Sequence, residues 1–423
     1  MSGADGTKVV VVGQGYVGLP VAVRAVEAGF DVVGLEVDDT KVKAIGGGHS
    51  PVEDITDDRL AAALATGRYH PTTEVADAEG FAVAVISVPT PLQDHAPDLS
   101  HIEEAAATLA PLLRPGATVI LESTTYPGTT EELVGPILET GSGLRAGPDF
   151  HLGYSPERID PGNPTWRLEN TPKVVSGIDD ASLERVRWFY DHLVERTVPV
   201  PSPKEAELTK LLENTFRHVN IALVNELAMF AADLGIDLGA AIDAASTKPF
   251  GYMRFTPGPG VGGHCLPVDP SYLSWKVKQQ LGSSFRFVEL ANDVNQHMPQ
   301  YVVRRIVAHL NERELAVKGR RILLLGLAYK RNTGDARESP SQPIAAQLVG
   351  LGAEVRVADP HVDERHVPPG TTLVEATPDE CRAADLVVVL VDHDDFDLPA
   401  LVGAAAHVFD TRRCVEGPGV ERL

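Results

Sequence analysis

The sequence predicts an α/β protein: two Rossmann-like, doubly wound domains joined by a long central helix. Three observations carry this. Short β-branched apolar runs alternate with helical spacing at both ends of the 423-residue chain. A GxGxxG triplet follows the first of those runs. A helical pattern of about thirty residues lies between the two ends.

The elements follow in order. Lys8 to Val12 is a short β-branched run, hence a strand, and LPVAVRAVEAG after it has helical spacing up to Gly29. FDVVGLEVD is the second strand, which completes a βαβ unit. Phe81 to Val88 is a third strand ending at a Pro-Thr-Pro turn, a helix begins near His101, and Ala117 to Thr124 is a fourth strand. Strands alternating with helices imply a parallel sheet covered on both faces. KEAELTKLLENTFRHVNIALVNELAMFAADLG then reads as one helix stopped by Gly235. Its length suits a connector and a dimer face. After Val317 the alternation returns: RRILLLGLAYK, AEVRVADP and ADLVVVLVD read as strands, and SQPIAAQLVGLG as a helix. This second Rossmann-like domain lacks the glycine fingerprint, so a different ligand is expected there. Proline-rich connectors near Pro199 to Pro203 and the polar NERELAVKG mark boundaries, giving domains at 1–199, 200–315 and 316–423.

Composition narrows the function. Acidic residues outnumber basic ones 59 to 37, a net charge of −22, which argues against nucleic-acid and anionic-membrane partners. An anionic substrate would then need local Lys and Arg. Three cysteines with no CxxC pairing argue against disulfides and make a reducing cytoplasm the expected compartment. The N-terminal stretch lacks signal-peptide shape, and no apolar run is long enough for a membrane span. No metal is expected, because no His/Cys/Asp cluster has zinc spacing.

Gly13, Gly15 and Gly18 sit between a strand and a helix, where their amides and the helix dipole can hold a pyrophosphate. Glu36 lies 21 residues past Gly15, at the end of the next strand. A carboxylate there accepts from ribose hydroxyls and repels a 2′-phosphate, so NAD is expected rather than NADP.

The glycine- and proline-rich stretch PGPGVGGHCLPVDP carries Cys265. A thiolate there could add to an aldehyde, expel hydride and leave a thioester for water. An inert buried thiol fits the composition equally well. His264 is adjacent, but neighbouring side chains in extended chain diverge. Asp269 precedes Pro270 and an expected helix, which suits an N-cap and also a fixed base. Lys210 and Asn214 are four apart on the long helix and share a face, as an oxyanion-stabilising pair or as surface polars.

Seven stretches in order, VVVVGQGYVGLP, ISVPTPLQD, LESTTYPGTTEE, GYSPERIDPGN, ELTKLLENTFRHVN, STKPFGYMRFTPGPGVGGHCLPVDP and GLAYKRNTGDARESP, resemble the UDP-glucose/GDP-mannose dehydrogenase family over nearly the whole chain. SPERIDPGN and STKPFGYM look most like its UDP-N-acetylglucosamine branch. The resemblance implies oxidation of a sugar C6 alcohol to a carboxylate with two NAD per turnover; a homodimer or higher homo-oligomer is expected from the long helix. It implies Cys265 as nucleophile, Lys210 and Asn214 around the oxyanion, Asp269 and Thr124 about the hydrolytic water, and Glu157 in thioester hydrolysis. At the cofactor it implies Tyr16, Val17, Lys41, Thr90, Thr124 and Arg337 beside the glycines and Glu36. At the UDP-sugar it implies Gly262, Lys330 and Arg412 with Glu157, Lys210 and Asn214. The family's DTRN is DTRRC here, which leaves open whether Arg412 or Arg413 faces inward. The glycines of the Cys265 loop are expected to leave room for the sugar nucleotide.

Overall fold

Val9 to Val12 are all buried, with Val9 and Val11 in one apolar cluster and Val10 and Val12 in another. Alternation along a strand places successive side chains on opposite faces, so a strand apolar at every position must be covered on both. The computed structural model describes residues 4–423 except 53, 94, 95, 161, 162, 164 and 264; the side chains of Cys265 and Pro267 also lie outside that description. The chain divides into two compact units, Met1–Glu213 with Ser271–Gln280, and Asn214–Pro270 with Leu281–Leu423.

The first unit begins β1 (Lys8–Val12), α1 (Gly18–Glu27), β2 (Asp31–Leu35), α2 (Asp39–Gly46), α3 (Asp57–Ala65), β3 (Tyr69–Thr72) and β4 (Val83–Ile86). A short antiparallel pair follows, β5 (Leu92–Gln93) and β6 (Ala96–Pro97). Then come α4 (Ser100–Leu109), β7 (Thr118–Leu121), α5 (Gly135–Ser142), β8 (His151–Tyr154), β9 (Lys173–Gly177), α6 (Asp180–Asp191), β10 (Thr197–Pro199) and α7 (Pro203–Asp233). Eight strands form one sheet in the order β10-β9-β8-β7-β4-β1-β2-β3. All neighbours are parallel except β8 and β9. Strand order reverses between β1 and β4, and the crevice at the carboxyl ends of those strands is where such sheets bind ligands.

The long helix was expected, and α7 spans 31 residues with Gly235 in the left-handed conformation just beyond it. Leu208, Leu212, Phe216, Leu223, Leu227 and Phe230 along it are 40 to 62% exposed, an apolar stripe at three-, four- and seven-residue spacings.

The second unit continues through α8 (Leu238–Ser246), α9 (Cys265–Leu281, mostly counted with the first unit), α10 (Arg286–Asn311), β11 (Arg321–Leu325), α11 (Ser341–Gly350), β12 (Glu354–Ala358), β13 (Thr372–Leu373), α12 (Pro378–Ala383), β14 (Leu386–Val389), α13 (Leu398–Ala404), β15 (Val408–Asp410) and β16 (Val420–Arg422). Its six strands are all parallel, in the order β13-β12-β11-β14-β15-β16. Both units are therefore doubly wound. Among the described residues no helix is long and apolar enough to cross a membrane.

The expected helix after Asp269 begins earlier. α9 starts at Cys265, so Asp269 and Pro270 lie inside it and Asp269 is not its N-cap. Proline lacks the amide that would bond the carbonyl four residues back, a loss the helix accepts one turn from its start. The Asp269 carboxylate turns instead to α7, as described below.

Candidate active site

The glycine turn matches its expected mechanics. Gly13 has φ of 88°, and a Cβ there would lie 2.6 Å from the Ser87 carbonyl oxygen. A Cβ at Gly18 would sit 1.8 Å from the Gly13 oxygen, so only glycine lets α1 close on β1. A Cβ at Gly15 would meet nothing within 4 Å. The open side at Gly15 is what a pyrophosphate approaching the backbone requires. Tyr16 and Val17 are half-buried beside it, and no side chain caps the start of α1. Leu19 N donates to the Gly15 carbonyl at 3.1 Å and Pro20 has no amide, so what this end offers an anion is the positive end of the helix dipole beside the open Gly15 backbone.

Glu36, 7% exposed, directly follows β2. Its Oε2 accepts from Gln14 N at 3.0 Å and Lys41 Nζ at 2.7 Å; its Oε1 accepts from Val37 N at 2.9 Å and Asp38 N at 3.3 Å. Burial pushes this carboxyl up, but Lys41 and the Gln14 amide outweigh it and hold Glu36 below the usual carboxylate range. Gln14 is itself fixed: Tyr69 donates to its Oε1 at 2.6 Å, and its amide donates to the Val11 carbonyl at 2.8 Å. The carboxylate is therefore held rigidly at the carboxyl end of β2. This arrangement fits NAD, which supplies the hydride acceptor when bound.

Further along the carboxyl edge, Thr90 is buried and its carbonyl accepts from Tyr272. Thr124 is half-buried two residues after Glu122. Glu157 follows β8 and is 8% exposed; its Oε1 accepts from the Ile159 amide, while Oε2 is buried without a hydrogen-bond partner. Lys173 Nζ lies 3.9 Å from that oxygen and bonds Glu122 closely. Lys210 on α7 is 8% exposed, so it is no solvated surface cation. One turn earlier Glu207 accepts from Gly128 N at 2.5 Å, Thr130 N at 2.9 Å and Thr130 Oγ1 at 2.7 Å, which pins the start of α7.

In the second unit, Asn214 Nδ2 donates to Asp269 Oδ2 at 2.6 Å, and the two residues are 5% and 1% exposed. Sequence put them 55 residues apart; α7 and α9 bring them together. Cys265 opens α9, its side chain lying outside the described residues together with His264.

On the side where a Cβ would point, Gly262 and Gly263 of the Cys265 loop meet protein rather than open space. A Cβ at Gly262 would fall 2.7 Å from the Glu338 oxygen and 2.8 Å from Tyr329 Cβ; one at Gly263 would fall 2.7 Å from the Tyr329 ring. Those glycines seat the loop against the chain from Tyr329 to Pro340. Gly258 N donates to Asn225 Oδ1 at 2.9 Å, and Asn225 Nδ2 donates to Asn295 Oδ1 at 2.9 Å, which ties the loop to α7 and α10.

Lys330 is half-buried in the loop after β11. Arg337 is exposed and grips Asp335 with two guanidinium nitrogens, at 2.9 and 2.7 Å. The two arginines of DTRRC part company. Arg412 Nε donates to the Leu390 carbonyl at 2.6 Å, and a Cβ on Gly258 would be 3.1 Å from its Nη1. Arg413 has φ of 56° and pairs with Asp237 at 2.8 Å. Arg412 is therefore the one turned toward the Cys265 loop.

Sequence reading missed Gln14, Glu122, Lys173 and Glu207. Gln14 stands inside the GxGxxG turn, and Glu122 just ahead of Ser123-Thr124, so position was a usable signal for both. Lys173 and Glu207 gave none. Among the described residues no group of three or more His, Cys, Asp or Glu is placed to hold a metal.

Comparison with known proteins gives three family matches in chain order. They are the NAD binding domain of the UDP-glucose/GDP-mannose dehydrogenase family over residues 7–194, its central domain over 204–297 and its UDP binding domain over 323–417. The chain is 36% identical over 390 residues to UDP-N-acetyl-D-mannosamine dehydrogenase of Pyrococcus horikoshii, covering 92% of this chain and 90% of that one. It is 37% identical over 391 residues to UDP-N-acetyl-D-glucosamine 6-dehydrogenase of Pseudomonas aeruginosa, covering 92% and 91%. The solved structure of the UDP-D-ManNAc dehydrogenase from Pyrococcus horikoshii superposes with a TM-score of 0.88 at 33% identity, over 99% of both chains.

Proposed function

The chain belongs to the UDP-glucose/GDP-mannose dehydrogenase family of NAD-dependent nucleotide-sugar 6-dehydrogenases, and we propose that it oxidises C6 of a UDP-N-acetylhexosamine to the carboxylate through a thioester on Cys265. UDP-N-acetylglucosamine is the first candidate, on the SPERIDPGN and STKPFGYM motifs. UDP-N-acetylmannosamine is the second, on relatives of nearly equal identity. The observation that carries the mechanism is the buried Asn214–Asp269 hydrogen bond, in a chain that also keeps Cys265 and Lys210.

Each residue then has one task. The glycine turn and Glu36 hold the cofactor. Thr124 and Asp269 order the water about C6. Cys265 adds to the aldehyde, and Lys210 with Asn214 takes up the charge that develops on its oxygen. Glu157 accepts a proton from the water that opens the thioester. Lys330, Arg412 and Gly262 hold the UDP-sugar in the C-terminal segment, 316–423, and the loop before α9. The apolar stripe on α7 pairs with a second copy of the chain, because a contiguous row of large apolar side chains is stabilised when water is removed from it.

Three measurements test this. A panel of UDP-N-acetylglucosamine, UDP-N-acetylmannosamine, UDP-glucose and GDP-mannose, read by NADH absorbance, identifies the sugar. Two NADH per sugar is expected, and one NADH with free aldehyde overturns the four-electron reading. Cys265→Ser should stop acid formation; acid at the wild-type rate would remove the covalent step. Phe230→Glu should shift the mass in light scattering from dimer to monomer, and a wild-type monomer removes the dimer.

A further inference from the structure

Four side chains remote in sequence form a buried polar cluster at the carboxyl edge of the first unit's sheet. Glu122 leaves the end of β7, Glu157 follows β8, Lys173 starts β9 and Tyr190 comes from α6. Because β9 runs antiparallel to β8 with Ser176 opposite Tyr154, its first residue lies past the carboxyl end of β8, level with the residues that follow that strand. Glu122 and Tyr190 are fully buried, and the Lys173 side chain is 3% exposed. Lys173 bonds Glu122 Oε1, and Tyr190 donates to Glu122 Oε2 at 3.1 Å. The Lys173 ammonium also stands 5.0 Å from the centre of the Tyr190 ring.

One polar atom in this cluster is left over. Glu157 Oε2 is buried, accepts no hydrogen bond, and stays 3.9 Å from Lys173 while Glu122 holds the lysine. An unsatisfied buried carboxylate oxygen costs free energy, so its persistence calls for a function. Groups facing Glu157 are Glu122 from β7, Lys173 from β9 and Tyr190 from α6. Its neighbour Arg158 is engaged elsewhere, by Glu213 and the Pro172 carbonyl.

We propose that Lys173 and Glu122 are positioning residues for Glu157. Lys173 supplies the cation that Glu157 faces, and Glu122 restrains that cation so that Glu157 Oε2 keeps a lone pair for the hydrolytic water. This rests on the thioester reading above. In the step concerned, the water oxygen bonds the thioester carbon and one water proton passes to Glu157 Oε2. The carbon–sulfur bond then breaks, the proton returns to the sulfur of Cys265, and the uronic acid is released. Burial pushes Glu122 above the usual carboxylate range, against the pull of Lys173, and the charge of Glu157 adds a smaller push in the same direction.

The two restraints act in opposite senses, and this separates the inference from a merely structural role. Lys173→Met leaves two buried carboxylates sharing a site, which take up a proton between them. The acid limb of the pH profile for acid release then moves up by about one unit or more, and release at a pH on that limb slows roughly tenfold. Glu122→Gln frees Lys173 to close on Glu157, and the acid limb moves down. Lys173→Arg restores the wild-type limb, because the cation is kept. Should Lys173→Met fail to fold, Glu122→Gln and Lys173→Arg still carry the signs. Glu157→Gln, followed by intact mass of the Cys265 adduct, is the control. If it neither slows acid release nor accumulates adduct, Glu157 is not the base and both readings fall. If it does both and the two limbs fail to move in opposite directions, this inference alone is overturned.

Discussion

Replacing Glu36 by glutamine removes one charge and almost no volume. Both carboxylate oxygens are filled by donors, two backbone amides on Oε1 and the Gln14 amide with Lys41 on Oε2. Whichever way the glutamine amide turns, its NH2 faces donors. At 7% exposure no bulk water relieves that conflict. The cost to folding is about 1–3 kcal/mol, the usual penalty for a buried donor left unsatisfied. Its pH dependence has a definite sign. Glu36 titrates below its ordinary value of 4.5 in the folded protein. Its contribution is therefore full above that value and lost as pH falls through the lower folded one. The melting-temperature deficit of Glu36→Gln should be largest at neutral pH and close under acid. Cofactor binding suffers separately. A ribose hydroxyl loses a charged acceptor worth about 1.5–3 kcal/mol, so KM for NAD should rise about tenfold to a hundredfold. NADP should gain relative to NAD, since the charge that repels a 2′-phosphate is gone. Steady-state kinetics with both cofactors and melts without cofactor read these effects. An unchanged KM for NAD, with an unchanged preference over NADP, would refute the assignment of Glu36 to the ribose.

The two ends of the glycine turn should fail differently. Gly15→Ala should fold normally and lose NAD affinity, since its methyl enters open space at the turn, whereas Gly18→Ala should lower the melting temperature as well, since its methyl meets a carbonyl at 1.8 Å. Equal melting temperatures for the two would contradict the packing. Glu207 is pushed by burial up to about 7, against the three donors it receives from Gly128 and Thr130. A carboxyl raised in the folded state gives stability that is full below its unfolded value and is lost as pH rises through the folded one. Melting temperatures of wild type and Glu207→Gln, followed from about pH 5 to about pH 9, should shift in favour of the variant by roughly 3 kcal/mol. A gap independent of pH would show that Glu207 stays ionised throughout.

Much of the fold was legible because its signals are local. β1 is as long as its apolar run, and α7 ends where Gly235 permits a left-handed residue. The strands read as Phe81 to Val88 and Ala117 to Thr124 shrink to Val83–Ile86 and Thr118–Leu121. Their ends leave the ladder at the carboxyl edge, where Ser87, Ser123 and Thr124 are released for other contacts.

Other features had no local signal. Asp269 looked like a cap because Asp-Pro often opens a helix, yet a partner 55 residues away on α7 takes its carboxylate. The close seating of the Cys265 loop had no local signal either: Tyr329 lies where a Cβ of Gly262 or Gly263 would point.

From the sequence by itself came the two dinucleotide-type domains, the helix between them and the NAD turn, since strand period, helix period and glycine conformation depend on residues a few positions apart. Only the tertiary structure decided that Arg412 rather than Arg413 faces the Cys265 loop, that Lys173 stands between two carboxylates, and that Glu36 is clamped by four donors. Those outcomes depend on which strands lie side by side and which loops seat against them. Strand order and loop seating are settled by burial across the whole sheet, and no spacing along the chain records them.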